Sequence, residues 1–279
     1  MARASGCLAA TAGLVLVMAG GAYLFTRTIT TTASTFPSAA EQAWFTAARR
    51  GDVERLRALR SQGMDVDAHE AHHGRTALMR AAFFGHTAAV DALVEAHADV
   101  RATDLEGATA LLLAARAGEA EVVTHLARAG ADVNVRKVPD SLTPLFAAVE
   151  ASSTPTVAAL LAAGADPATG NQDMSPLERA IDDGSAAIVA ALLGAGARPE
   201  PSGLSLGRDP LLHRVLDQCQ ASDADMIAAL LEAGVARDAR DSKGRTAHEW
   251  ATYFATRPSA RQACSRQQLA ALVAGGVRR

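Results

Sequence analysis

Residues 109–133 read TALLLAARAGEAEVVTHLARAGADV, and this stretch decides the fold. Its opening triplet recurs before and after it, at steps of 32 to 37 residues. The six triplets are Thr76-Ala77-Leu78, Thr109-Ala110-Leu111, Thr143-Pro144-Leu145, Ser175-Pro176-Leu177, Asp209-Pro210-Leu211 and Thr246-Ala247-His248. A fixed period of this length is the signature of a repeat architecture. A degenerate copy over residues 43–67 brings the expected number of repeats to seven.

Each copy predicts the same local structure. The Thr, Ser or Asp of the triplet is expected to cap a first helix, and the paired alanines behind it let neighbouring helices approach closely. Gly118 then turns the chain into a second helix with a Val/Leu stripe. Gly130-Ala131-Asp132 ends that helix and starts an extended finger. One unit cannot bury its apolar face alone, so the units must stack in a line.

These motifs resemble the ankyrin-repeat family over residues 41–279. The resemblance implies an all-α solenoid of about seven helix-turn-helix repeats with β-hairpin-like fingers. The expected repeats lie near 41–73, 74–106, 107–140, 141–172, 173–206, 207–243 and 244–279. The family's His after the triplet is replaced by Met79, Leu112, Phe146, Glu178, Leu212 and Glu249. We therefore expect the hydrogen-bond bridge between repeats to be missing and the stacking to depend on apolar packing.

Composition excludes several classes of protein. With 49% apolar residues and a net charge of −3 in 279 residues, the chain can bury a core and is not disordered. That charge also excludes the basic surface of a nucleic-acid-binding protein. Three cysteines are too few for a disulfide-stapled scaffold. Lysine occurs only at Lys137 and Lys243, an arginine bias that indicates a GC-rich bacterial genome.

The N-terminus predicts export. Residues 6–25 carry no charge, and as a helix they would match the thickness of a bilayer. We expect residues 1–25 to be a signal anchor or transmembrane helix, with a cleaved signal peptide as the alternative. Residues 26–40 are rich in Thr and Ser and predict a flexible linker. The repeat domain would then lie in the periplasm, anchored to the inner membrane or, after cleavage, soluble.

The resemblance places binding on the concave helix face and the finger tips. On the concave face the expected partner-binding residues are Arg49, Arg50, Phe83, Phe84, Arg116, Glu150, Asp182, Asp183, Asp217, Tyr253 and Phe254. Leu216 occupies the equivalent position beside Asp217 in the sixth repeat. On the fingers they are His72, His73, Arg75, Leu105, Glu106, Lys243 and Arg245. The aromatic pairs are either interface hot spots or partly core. Charge along this face runs from arginines in the early repeats to carboxylates in the later ones.

Three other features of the sequence give weaker indications of function. His69, His72 and His73 cluster at one finger tip, where a solvated tip is favoured over a metal site. Cys219 and Cys264 form a possible disulfide, with two buried free thiols as the alternative. The long finger at residues 199–208 is either a binding loop or a tolerated insertion.

The sequence contains none of the common catalytic motifs, so no enzyme activity and no cofactor are expected. We therefore expect a monomeric, non-catalytic module that binds an unidentified protein partner and no nucleic acid. Immunity against a periplasm-targeted toxin and support of a periplasmic enzyme are alternatives that the resemblance suggests. A structural spacer without a ligand is the alternative from another class.

Overall fold

A computed structural model of the protein describes residues 38–171, 173–199, 209–220, 223–257 and 262–274. The predicted membrane helix or signal peptide at 1–25 and nearly all of the long finger at 199–208 lie outside this part. No helix within the described ranges is long and apolar enough to cross a membrane.

The described residues form fourteen helices and no strand. In chain order they are α1 Ala39–Arg50, α2 Val53–Ser61, α3 Ala77–Phe83, α4 Thr87–Glu95, α5 Ala110–Ala117, α6 Ala120–Arg128, α7 Pro144–Glu150, α8 Thr154–Ala162, α9 Pro176–Asp182, α10 Ala186–Gly194, α11 Leu211–Gln218, α12 Asp223–Glu232, α13 Ala247–Ala255 and α14 Gln262–Ala274. They make seven antiparallel pairs, which confirms the repeat solenoid.

The helices lie in two layers. Each odd-numbered helix packs on the next odd-numbered one, from α1 to α13, and the even-numbered helices pack in the same order from α2 to α14. The first-helix layer is built on alanines, of which Ala48, Ala81, Ala115 and Ala148 are completely buried. Second helices contribute larger side chains; α6, for example, buries Val122, Val123 and Leu126.

Caps and left-handed residues set the helix ends. Thr109 and Thr143 accept hydrogen bonds from the backbone N–H three residues ahead, as the triplet predicts. Gly118, with φ 83°, then turns the chain between α5 and α6. In the fourth repeat Ser152, with φ 52°, takes the place of this glycine.

Three local details differ from expectation. Helix α1 begins at Ala39 behind a capping Ser38, inside the linker predicted for residues 26–40, of which residues 26–37 lie outside the described part. No side chain caps α11, because Asp209 instead accepts a bond from the N–H of Ser242 in the next finger. The described fingers contain only the isolated bridges Lys137–Leu142 and Arg240–Thr246.

Candidate protein-binding face

The C-terminal ends of the first helices form one surface, which we call the first-helix face. Its exposed members are Arg49, Arg50, Phe84, Arg116, Glu150, Asp182, Asp217 and Tyr253. Phe83, Asp183 and Phe254 are half-buried, and Leu216 is completely buried and belongs to the core. The sequence places all of these residues on one face and does not separate outward-facing members from those that pack inward.

The aromatic pair of the second repeat divides between core and surface. Phe83 packs against the core, and the guanidinium of Arg75 lies 5.9 Å from its ring centre. Phe84 meets Phe83 edge to face at 5.2 Å and stays 41% exposed, with the ring of His86 stacked 6.5 Å away. Phe84 is therefore the ring available to a partner.

The seventh repeat repeats this division. Phe254 packs against Trp250, with ring centres 4.6 Å apart. Tyr253 is 41% exposed and lies under the guanidinium of Arg257, 4.0 Å from its ring centre. Arg257 also donates to the Tyr253 hydroxyl. Tyr253 is thus a second exposed ring, but one already covered by a cation.

The charge gradient is flatter than the sequence suggested. Arg214 of α11 binds Glu178 and Asp182 of α9, and Arg179 binds Asp183 at 3.0 Å. Arg214 was missed because its partners lie one repeat away, whereas the i,i+4 spacing of Arg179 and Asp183 could have revealed that pair. Within the described residues, no carboxylate lies within ion-pair distance of Arg49, Arg50 or Arg116. The unpaired arginines of this face therefore lie in its first three repeats, on either side of the helix that Phe84 follows.

Two of the predicted finger residues hold the fingers together. Arg75 binds the buried carboxylate of Asp104 at 3.2 Å, and Arg245 binds Asp241 at 2.6 Å. The sequence predicts that both arginines contact a partner; in the structure they bind the carboxylates that organise the finger turns. His72, His73, Glu106 and Lys243 remain exposed, and Leu105 is 75% exposed at its tip.

Asp241 is the most perturbed acid of the fingers. Burial raises its pKa, but the Arg245 guanidinium and the backbone N–H groups of Arg245 and Lys243 outweigh burial and hold the pKa at about 2. Its Oδ1 accepts both N–H groups, at 2.7 and 2.9 Å. Asp104 makes the same arrangement with the N–H groups of Glu106 and Ala108. The carboxylate thus organises the turn and is not a catalytic group.

Polar bridges between repeats do exist, which corrects the expectation that they are missing. His213, one position beyond the expected histidine, is buried and donates to the carbonyl of Arg245 at 2.9 Å. His86 donates to the carbonyl of Arg49, and Asn134 exchanges bonds with Gly164 and Asp166. A search for polar residues separated by one period, rather than for histidine at one position, would have found them.

The remaining predictions concern cysteines and metal ligands. Cys219 and Cys264 are joined as a disulfide with Cα atoms 5.6 Å apart. The Nδ1–H of His69 donates a hydrogen bond to the carbonyl of Gly74. Among the described residues, no three His, Cys, Asp or Glu side chains converge as metal ligands.

Stacked helix pairs with one exposed face define a solenoid repeat protein. The model for ankyrin repeats matches residues 44–137 and 111–202, which together cover more than half of the sequence. The chain belongs to the ankyrin-repeat family. Proteins of this family are generally non-catalytic modules of protein–protein interaction.

A solved structure supports the same fold. The crystal structure of the human ASB11 ankyrin repeat domain matches with a TM-score of 0.63 and 24% identity. The match covers 81% of this chain and 96% of that one. Among curated proteins, none matches the sequence.

Proposed function

We propose that this chain binds a protein partner on the first-helix face of its first three repeats, outside the cytoplasmic membrane. The observation that carries the proposal is Phe84, an exposed ring between helices α1 and α5 that carry Arg49, Arg50 and Arg116. Exposed aromatic and arginine side chains in one patch are the residue types enriched at the centres of protein interfaces.

The partner's chemistry follows from this patch. It should present an apolar side chain to Phe84 and carboxylates to the three arginines. The acidic half of the face is less suited to a basic partner, because several of its carboxylates are already paired. Arg214 binds Glu178 and Asp182, and Arg179 binds Asp183. The proposed contact therefore lies in the early repeats.

Display outside the membrane rests on the uncharged residues 6–25 and the Thr/Ser-rich residues behind them. An anchor would hold the repeat domain at the membrane, and a cleaved signal would leave it soluble in the same compartment. In either case the arginine patch faces proteins outside the cytoplasm.

One experiment tests both parts. Because this chain has only two lysines, a membrane-impermeant crosslinker with one amine-reactive end for the partner and one photoreactive end for any residue is added to intact cells that make the full-length chain, which is then captured through a tag. We expect one specific protein to be captured by the wild type and lost with Phe84→Ser. Phe83 stays unchanged in this variant because it packs against the core.

The matched control is Tyr253→Ser, which removes an equally exposed ring from the other end of the array. It should leave capture unchanged, and circular dichroism should show that both variants are folded. Equal capture by the wild type and Phe84→Ser contradicts the proposed face. If no specific protein is captured, the protein is a structural spacer without a ligand, or its repeat domain lies on the side of the membrane that the crosslinker does not reach.

A further inference from the structure

The last helix buries polar side chains against the rest of the array. Helices α10 and α12 each bury three large apolar side chains; in α12 these are Met226, Ile227 and Leu230. Among the described side chains of α14, those that are buried are Ser265, Gln268 and Leu272. Two of these three side chains, Ser265 and Gln268, are polar.

The polar groups beneath α14 are incompletely paired. Gln268 donates to the Oδ2 of Asp223 at 2.6 Å, and the N–H of Gln220 donates to the same oxygen. The Oδ1 of Asp223, the Oε1 of Gln268 and the Oγ of Ser265 are buried without a hydrogen-bond partner among the described residues. Buried polar atoms without partners destabilise the contact that buries them.

Burial also raises the pKa of Asp223, although the bonds from Gln268 and Gln220 oppose the change. The desolvated carboxyl group and the unpaired polar atoms therefore destabilise the contact between α12 and α14.

The disulfide lies beside these unpaired polar atoms. Cys219 ends α11, Cys264 lies near the start of α14, and the Cys264 sulfur is 3.9 Å from Asp223 Oδ2. Both cysteines are only half-buried, so a thiol can reach them. The bond closes a loop of 45 residues that contains all of α12 and α13.

We propose that the Cys219–Cys264 disulfide is a redox-controlled latch that holds α14 on α12 and releases it on reduction. The reductant is a dithiol. Its first thiolate attacks one sulfur, the S–S bond breaks, and the other cysteine leaves as a thiolate that takes up a proton. The second thiol of the reductant then displaces the first cysteine, which is protonated in turn. Two electrons pass to the protein, which gains two thiols, and the dithiol becomes a disulfide.

The test is hydrogen exchange of the full-length chain in a Cys7→Ser background, so that only this pair responds to the reductant. Mass spectrometry of unreduced peptides first establishes the Cys219–Cys264 bond; its absence after purification under air overturns the proposal. With dithiothreitol, exchange in α14 should become about tenfold faster or more, because the local opening is no longer held. Exchange in α3 to α8 should not change.

The Cys219→Ser/Cys264→Ser protein is the matched variant. It should show fast exchange in α14 without reductant and no further response to it. Unchanged exchange in α14 after verified reduction overturns the latch, and so does acceleration of equal size throughout the array. If the double variant does not fold, the reduced wild-type chain alone decides between these results.

Discussion

Residues with a left-handed backbone show the steric cost of a side chain by itself where that side chain packs against nothing. Second helices end at a glycine with positive φ in most repeats, as at Gly130 and Gly164, both with φ 90°. In the second repeat His97 occupies this position with φ 65°, and it is exposed. A side chain in this region strains the backbone, so His97 is a local defect in the array.

We expect His97→Gly to stabilise the protein by about 0.5 to 1 kcal/mol, since relief of strain exceeds the added flexibility of the unfolded chain. The reverse change, Gly130→His, should destabilise by a similar amount. Space does not limit it, because a Cβ at Gly130 meets no atom within 4 Å. Urea unfolding measures both changes, and shifts of the same sign would contradict a backbone origin.

Much at this scale could be predicted from the sequence, and some could not. The period of the triplets is sufficient to place helix pairs, because most pairs begin at a capping Thr or Ser and turn at a glycine. Arg214 could not be assigned to Glu178 and Asp182, since long side chains reach across repeats in a direction that spacing alone does not give. His213 was missed for the same reason: one position of helical rotation decides which repeat it bonds.

The finger before α13 is an element held by one carboxylate. Asp241 accepts two backbone N–H groups and binds Arg245, and only 2% of its side chain is exposed. Asp241→Asn should cost about 2 kcal/mol at pH 7, because charge-assisted hydrogen bonds are lost and Arg245 is left beside a neutral amide.

The pH dependence of this loss has a definite sign. The pKa of Asp241 falls from 3.8 to about 2 on folding, so its contribution is present above pH 4 and lost as the pH falls towards 2. Urea unfolding should therefore show a difference between wild type and Asp241→Asn that shrinks between pH 5 and about pH 2. Asp238→Asn, an exposed change of equal charge in the same segment, should give little difference at either pH. A pH-independent difference for Asp241→Asn would show that shape, rather than charge, holds the finger.

At the scale of the whole repeat domain, each repeat is stabilised by its interfaces with the neighbouring repeats. Contacts connect each helix to the equivalent helix one repeat away, so a weak central interface should divide the array into two parts that unfold separately. Ala148 of α7 is completely buried in the first-helix layer, where α7 packs between α5 and α9. A leucine there overpacks the layer and should cost about 1 to 3 kcal/mol.

The two tryptophans report on the two parts. Trp44 lies in α1 and Trp250 in α13, and both are buried. Fluorescence of Trp250→Phe follows the first repeats, and that of Trp44→Phe follows the last ones. Ala148→Leu should increase the separation between the urea midpoints of these single-tryptophan proteins, whereas Ala158→Leu, at an exposed position of α8, should leave it unchanged. If Ala148→Leu instead lowers both midpoints equally, the repeats unfold as one unit and coupling across the centre exceeds the cost of overpacking.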